Sequence, residues 1–306
     1  MIKMKDGVIP TMITPFKSNL SIDYKALEKL IQWYTEGGVD GFFTVAQSSA
    51  MFELSLRERV ALAKRVKELA PSNLPVAASG HISDSLKDQV EELNLIAETG
   101  IDNLILLTNR FAAPWESDDV WKNNLENLLK HLPEDISLGL YECPYPYKKL
   151  LSENLLNWVK ETGRFGFVKD TCCDPSMIER RGSIVSGSPM KLYNANAPTL
   201  LYSLKNGYSG YSGIMTNFHT ELYYWLCHNW KQEGEKAEEL QSYLSVSSLI
   251  ENYGYPLNAK YALRKMGIEI ELICRRSDMR LNQFSEYDKF MTDRFMELSR
   301  SISRNY

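Results

Sequence analysis

An excess of positive charge is missing from this chain: 35 lysines and arginines stand against 39 acidic residues in 306 positions, a net charge of −4 with a pI of about 5.7. Without a cationic field nothing holds a nucleic-acid backbone or an anionic membrane surface, so both drop out as partners. Long apolar runs are also missing. The opening "MIKMKDGVIPTMITPF" has no continuous apolar core of signal-peptide length, and no later stretch approaches the roughly 20 apolar residues that a membrane span requires. Cysteine is sparse and unpatterned. Cys143, Cys172, Cys173, Cys227 and Cys274 are odd in number, scattered and without a CxxC pair, which argues against a disulfide framework and against a zinc site. They read as reduced thiols of a cytoplasmic protein, and the adjacent Cys172 and Cys173 as packing residues rather than a redox pair.

What is present is the composition of an ordinary folded protein, 44% hydrophobic and 24% charged, long enough to bury a sizeable core. The first two thirds alternate short apolar segments with amphipathic ones. Eight strands are expected, at 8–14, 41–46, 75–80, 103–108, 137–142, 166–171, 191–195 and 210–215. Between them, Leu27, Leu30, Ile31 and Tyr34 share one helical face that ends at Gly37-Gly38. Ser55 and Glu58 stand in capping-box spacing ahead of Val60, Ala63 and Val66. Leu86, Val90, Leu93 and Ala97 form the stripe of a third helix that stops at Gly100.

Strands alternating with helices, and no GxGxxG turn after the first strand, favour a (β/α)8 TIM barrel over a doubly wound sheet. The barrel is expected over residues 1–219. From 220 to 306 the strand rhythm stops, and "TELYYWLCHNW", "GEKAEELQSYLSVSSLIEN", "PLNAKYALRKMG" and "SEYDKFMTDRFMELSRSIS" read as a C-terminal helical extension packed on the barrel.

In such a barrel, chemistry belongs at the C-terminal ends of the strands and on the loops that follow. The sixth segment, "GFVKDT", places Lys169 within an apolar run. A lysine facing the barrel interior loses hydration, its charged form is disfavoured, and the free amine becomes a nucleophile toward a carbonyl. The plainer alternative is a lysine paired with Asp170 or another carboxylate, or simply turned outward. Tyr141 closes the preceding strand and is placed to move protons, although it is one of 17 tyrosines. Gln47, Ser48 and Ser49 follow the second strand, where hydroxyls and turn amides can grip a carboxylate. His81 and Arg110 end the third and fourth strands as a possible proton carrier and anion ligand, and a lone histidine at a turn is more often structural. "NAPT" and "GYSGIM" lack the glycine-rich pair of turns expected of a phosphate-binding barrel.

Taken in order, these segments resemble the dihydrodipicolinate synthase and N-acetylneuraminate lyase family of Schiff-base class I aldolases. "TMITPF" is similar to its T-x-x-TPF, "EGGVDGFF" to its G-V-D-G, "ELSLRER" to its L-S-x-x-E-R, and "GFVKDT" to its G-x-K-[DE]. The resemblance implies an imine between Lys169 and pyruvate or another 2-keto acid, with Tyr141, in "LYE", as proton relay. It implies a carboxylate site at Ser48 and Ser49, no metal or organic cofactor, and a homo-oligomer of the dimer or tetramer kind; Gln47, Asn194 and, from its own charge rather than the family pattern, Arg110 complete the expected substrate-binding set. Three positions depart from the pattern. Phe111 stands where the synthase's cross-subunit tyrosine aligns, Pro146 where its carboxylate-binding arginine aligns, and Glu142 where the family has asparagine. The expected activity is therefore a lyase on a keto acid, with a non-catalytic keto-acid-binding protein and a true dihydrodipicolinate synthase as alternatives.

Overall fold

The computed structural model describes residues 2–275 and 284–306. Met1 and residues 276–283, which fall within the expected barrel and helical extension, lie outside the described residues. Eight strands run parallel: β1 (Gly7–Val8), β2 (Phe42–Thr44), β3 (Val76–Ala78), β4 (Asn103–Leu107), β5 (Ser137–Tyr141), β6 (Phe165–Asp170), β7 (Lys191–Asn194) and β8 (Gly210–Tyr211). From β2 to β8 each strand pairs with the next in sequence, and β8 pairs with β1. The ring closes through a parallel bridge between Thr11 and Phe43, where Phe43 N–H donates to the Pro10 carbonyl and Met12 N–H to the Phe43 carbonyl. This is the TIM barrel expected from the alternation.

The first strand is shorter than its apolar run. Pro10 has no N–H to offer the ladder, so regular pairing stops at Val8 and resumes only as the Thr11 bridge. The eighth is also shorter than expected, and its Gly210 backbone lies so close to Gly7 that a Cβ there would sit 1.8 Å from the Gly7 carbonyl oxygen. After Tyr211 the chain leaves the ladder and forms a 3₁₀ turn over Ile214–Asn217.

The outer helices begin on the caps that local sequence specifies. Asp23 caps α1 (Tyr24–Glu36), and Ser55 and Glu58 form the capping box of α2 (Leu56–Leu69). Ser85 caps α3 (Leu86–Ala97), but the buried face of α3 is rotated from the expected stripe. Leu86 is exposed, and Gln89, Glu92, Leu93 and Ile96 turn inward. The rotation is dictated by polar partners: Glu92 pairs with buried Arg59 at 2.9 Å, and Gln89 Oε1 meets His81 Nε2 at 2.7 Å. α4 (Asp118–Leu129), α5 (Glu153–Glu161), α6 (Pro175–Val185) and α7 (Leu200–Lys205) follow, and α8 (Thr220–Asn229) packs against β1 and β8. α9 (Gly234–Ser247), α10 (Leu257–Lys265) and α11 (Glu286–Ser303) come last. No helix among the described residues is long and apolar enough to cross a membrane.

Candidate active site

Side chains alternate along a strand, so in β5 and β6 one residue of each neighbouring pair faces the barrel axis and the next faces the helices. Tyr141 and Lys169 are register partners at the C-terminal ends of these strands, and both point inward. Glu142 and Asp170, one residue later, point outward to a common cation. This parity separates the lysine amine from its own neighbouring carboxylate.

Lys169 is 3% exposed. Its Nζ lies 4.8 Å from the Tyr141 ring centre and 5.6 Å from that of Phe43, and it donates a hydrogen bond of 2.6 Å to Thr11 Oγ1. The floor beneath is aromatic. Phe43 meets Tyr141 and Phe167 edge-on, and Phe167 stacks on Tyr193 at 4.7 Å. Loss of hydration in this enclosure draws the lysine from its ordinary value down to about 7. Lys169 makes no ion pair among the described residues, so the plainer alternative of a lysine neutralised by Asp170 does not hold.

Asp170 is taken elsewhere. Its Oδ2 accepts from the Tyr208 hydroxyl and lies 2.8 Å from Arg181, and its Oδ1 accepts from Cys172 N–H. The same Arg181, buried on α6, makes two bonds to Glu142, of 2.7 and 3.1 Å. Glu142 also accepts from the backbone N–H groups of Leu151 and Thr171. One guanidinium thus ties the residue after Tyr141 to the residue after Lys169. Burial pushes the Glu142 carboxyl up against the pull of Arg181. Neither Arg181 nor Tyr208 was selected from the sequence. The available signal was two acids, each immediately following an inward-facing residue, which require a shared cation on the helical side.

The turn after β2 is strained. Val45, a β-branched residue, has φ of 51° and Ala50 has φ of 60°, conformations that persist only where the surroundings enforce them. Between them, Ser49 is fully committed: its hydroxyl donates to the Met12 carbonyl at 2.7 Å and accepts from Ala46 N–H, while its own N–H donates to the Ala46 carbonyl. The expected carboxylate grip by the Ser49 amide is therefore replaced by a structural role, tying this turn to the loop after β1. The Ser48 hydroxyl makes no hydrogen bond among the described residues. Gln47 Oε1 accepts a long contact of 3.8 Å from the Cys143 thiol, which follows Glu142 at the end of β5.

The remaining predicted residues have side chains engaged with other partners. Asn194 ends β7, and its side chain donates to Thr199 and accepts from Asn196 N–H. Arg110 pairs with Asp84 at 2.6 Å. His81 is enclosed: Nδ1 accepts from Leu107 N–H, so Nε2 carries the proton toward Gln89, and burial lowers it to about 4, leaving a neutral structural imidazole. Phe111 does not face a partner surface but is buried within its own chain, edge-on to Trp121 at 5.2 Å. Asn109 holds the loop after β5 by donating to the carbonyls of Cys143, Tyr145 and Tyr147, and Pro146 lies in that loop. Burial raises the thiol of Cys172 to about 12 and that of Cys173 above its ordinary value, against any thiolate chemistry. No group of His, Cys, Asp and Glu suited to a metal occurs among the described residues.

Comparison with known proteins places this geometry in context. The model of the dihydrodipicolinate synthetase family matches residues 4–291. A 4-hydroxy-tetrahydrodipicolinate synthase of Clostridium tetani is 23% identical over 283 residues, covering 89% of this chain and 92% of that protein. The barrel superposes with a TM-score of 0.84 on YagE, a prophage protein of the dihydrodipicolinic acid synthase family from E. coli K12 solved with pyruvate, at 17% identity and covering 97% of this chain and 98% of that one. It superposes equally, with a TM-score of 0.84 and 18% identity, on CdNal from Clostridium difficile solved with mannosamine, covering 96% and 99%.

Proposed function

Since this chain belongs to the dihydrodipicolinate synthetase family, a family of class I aldolase-type lyases, we propose that it is a Schiff-base lyase acting on pyruvate or a 2-keto sugar acid, with the imine on Lys169. One observation carries the reading: a buried lysine with no carboxylate partner among the described residues, drawn down to about 7, with a tyrosine at the same level of the barrel. At neutral pH a substantial fraction of such an amine is unprotonated and nucleophilic.

The Nζ lone pair attacks the keto carbon, the carbonyl oxygen takes a proton, and the carbinolamine loses water to leave an iminium. That cation withdraws electrons from the bonds on the carbon beside it, C3. Either the C3–C4 bond breaks as the C4 hydroxyl loses its proton, releasing an aldehyde and an enamine that is reprotonated at C3, or the C3 proton leaves to give an enamine that expels the C4 hydroxyl as water. Both routes end in an iminium whose hydrolysis returns the keto acid and the free lysine. The Tyr141 hydroxyl serves as the proton relay once the iminium has formed. Ser48, with Gln47 beside it, holds the keto-acid carboxylate. Arg110 and Asn194 are the candidates for contacts to the rest of the substrate.

Phe111 cannot relay a proton, and Pro146 cannot bind a carboxylate. Both argue against dihydrodipicolinate synthesis and favour a 3-deoxy-2-keto sugar acid. The pyruvate held by YagE and the mannosamine held by CdNal support keto-acid and sugar chemistry in barrels of this shape. We also infer a homo-oligomer, which the mass in solution tests.

The decisive experiment is incubation with pyruvate, and with a panel of 3-deoxy-2-keto sugar acids, followed by borohydride and mass measurement. A reduced adduct on Lys169, absent from Lys169→Ala, is expected. No adduct with any of these acids overturns the lyase reading, and keto-acid binding without an adduct supports a binding protein instead.

A further inference from the structure

Thr11 is the hydrogen-bond partner of Lys169 Nζ among the described residues, at 2.6 Å. It comes from the loop after β1, 158 residues away in sequence. Its hydroxyl has one proton, directed at the Ser212 carbonyl 3.2 Å away, which leaves its lone pairs toward the lysine. Nor can the side chain readily turn aside. The Thr11 backbone bridges to Phe43 where the barrel closes, its carbonyl accepts from Asn217 Nδ2 at 3.1 Å, and Ser212 is held by its own N–H to the Asn194 carbonyl. Thr11 is thus a fixed acceptor, buried at 1% exposure, facing the nitrogen on which the proposed chemistry occurs.

We propose that Thr11 is a catalytic residue that accepts the single N–H of the protonated imine on Lys169 and thereby fixes the plane of the iminium. This rests on the Schiff-base reading above. An amine has two N–H bonds, but after water leaves, the iminium nitrogen keeps one. The iminium is planar, so an acceptor fixed in space determines the direction of that N–H. The carboxylate and the reacting carbon lie in that same plane, one of them cis to the fixed N–H. The bond carries a positive charge in the iminium and not in the keto acid or the free amine. It is therefore stronger in the state that withdraws electrons, as catalysis requires. A carboxylate at this position would hold Lys169 permanently protonated; a neutral hydroxyl stabilises the cation without doing so.

Thr11→Val, which removes the hydroxyl at nearly constant volume, Thr11→Ala and Thr11→Ser separate this role from packing. Each is incubated with a range of pyruvate concentrations and pH values, reduced with borohydride and weighed, with thermal melting recorded in parallel. The Val and Ala variants should need about ten- to a hundredfold more pyruvate for half-maximal trapping, the effect of losing a charge-assisted hydrogen bond. The midpoint of trapping against pH should move down, because the ammonium loses an acceptor. Thr11→Ser should return both values to near those of the wild type. Trapping in the wild type with unchanged half-saturation and pH midpoint in a folded Val or Ala variant overturns the role of Thr11 alone. Failure of the wild type to trap any keto acid overturns the Schiff-base reading and this inference with it.

Discussion

Lys169 and Tyr141 are register partners on adjacent parallel strands, with the lysine nitrogen 4.8 Å from the tyrosine ring centre. The pairing places an amine and a phenol on the same level of one barrel interior. Their separation is a property of the sheet rather than of either side chain's freedom. The clamp on the outer face, Glu142–Arg181–Asp170, joins the next residue of each strand.

Tyr141→Phe should separate imine formation from turnover. The ring remains against Phe43 and the amine remains buried, so borohydride trapping on Lys169 should persist. Steady-state cleavage or dehydration should fall about 10²- to 10⁴-fold, the usual contribution of a positioned acid–base group. Equal loss of trapping and turnover would assign Tyr141 to packing around the lysine.

The pH dependence of trapping follows from Lys169 itself. Its folded value is lowered to about 7, so the nucleophilic amine is scarce well below that pH and abundant above it. The rate of adduct formation at low keto-acid concentration should rise between about pH 6 and 8 and then level off. A rise centred near the ordinary lysine range, above pH 10, would show that burial does not tune this amine.

The same amine should burden the fold. Lys169, at about 7, and Lys260, a buried lysine on α10 lowered to about 8 by loss of hydration, both titrate below the ordinary value of 10.5. The unfolded chain therefore binds more protons than the folded one between about pH 7 and 10.5. Stability from these groups rises with pH across that window, and the whole cost of burying their charge is felt below it. Lys169→Met should raise stability by on the order of 2 kcal/mol at pH 6, with the gain shrinking as pH rises. Chemical denaturation at pH 6 and pH 9 measures both, and a loss of stability at pH 6 would contradict it.

Arg181 should matter more to the fold than any surface cation. Arg181→Met leaves Glu142 and Asp170 buried without their shared positive partner, and removing one side of such a pair costs about 3–5 kcal/mol. The loss should be larger at pH 7 than at pH 5, since protonation of the abandoned carboxylates relieves part of it. Surface pairs such as Lys25 with Glu269, 81% and 87% exposed, should contribute less than about 1 kcal/mol. Urea titration of Arg181→Met and Lys25→Ala compares the two directly, and similar small losses would refute the clamp.

Much of the architecture was written locally. Helix starts at Asp23, Ser55 and Ser85 depend on a side chain bonding the amide two or three residues ahead, and strand positions depend on short apolar runs, so both can be read without knowing the rest of the chain. Lys169 and Tyr141 stood out for the same reason, each ending an apolar segment within an ordered series of motifs. Tertiary structure decided what depended on distant partners. It committed Ser49 to Met12, buried Phe111 against Trp121, turned α3 toward Arg59 and His81, and drew Arg181 between two strand ends. Above all it brought Thr11 across the closed ring to Lys169. Periodicity and capping operate within one or two turns of chain. Which hydroxyl faces a buried amine is set only when the first and sixth segments are held in one barrel.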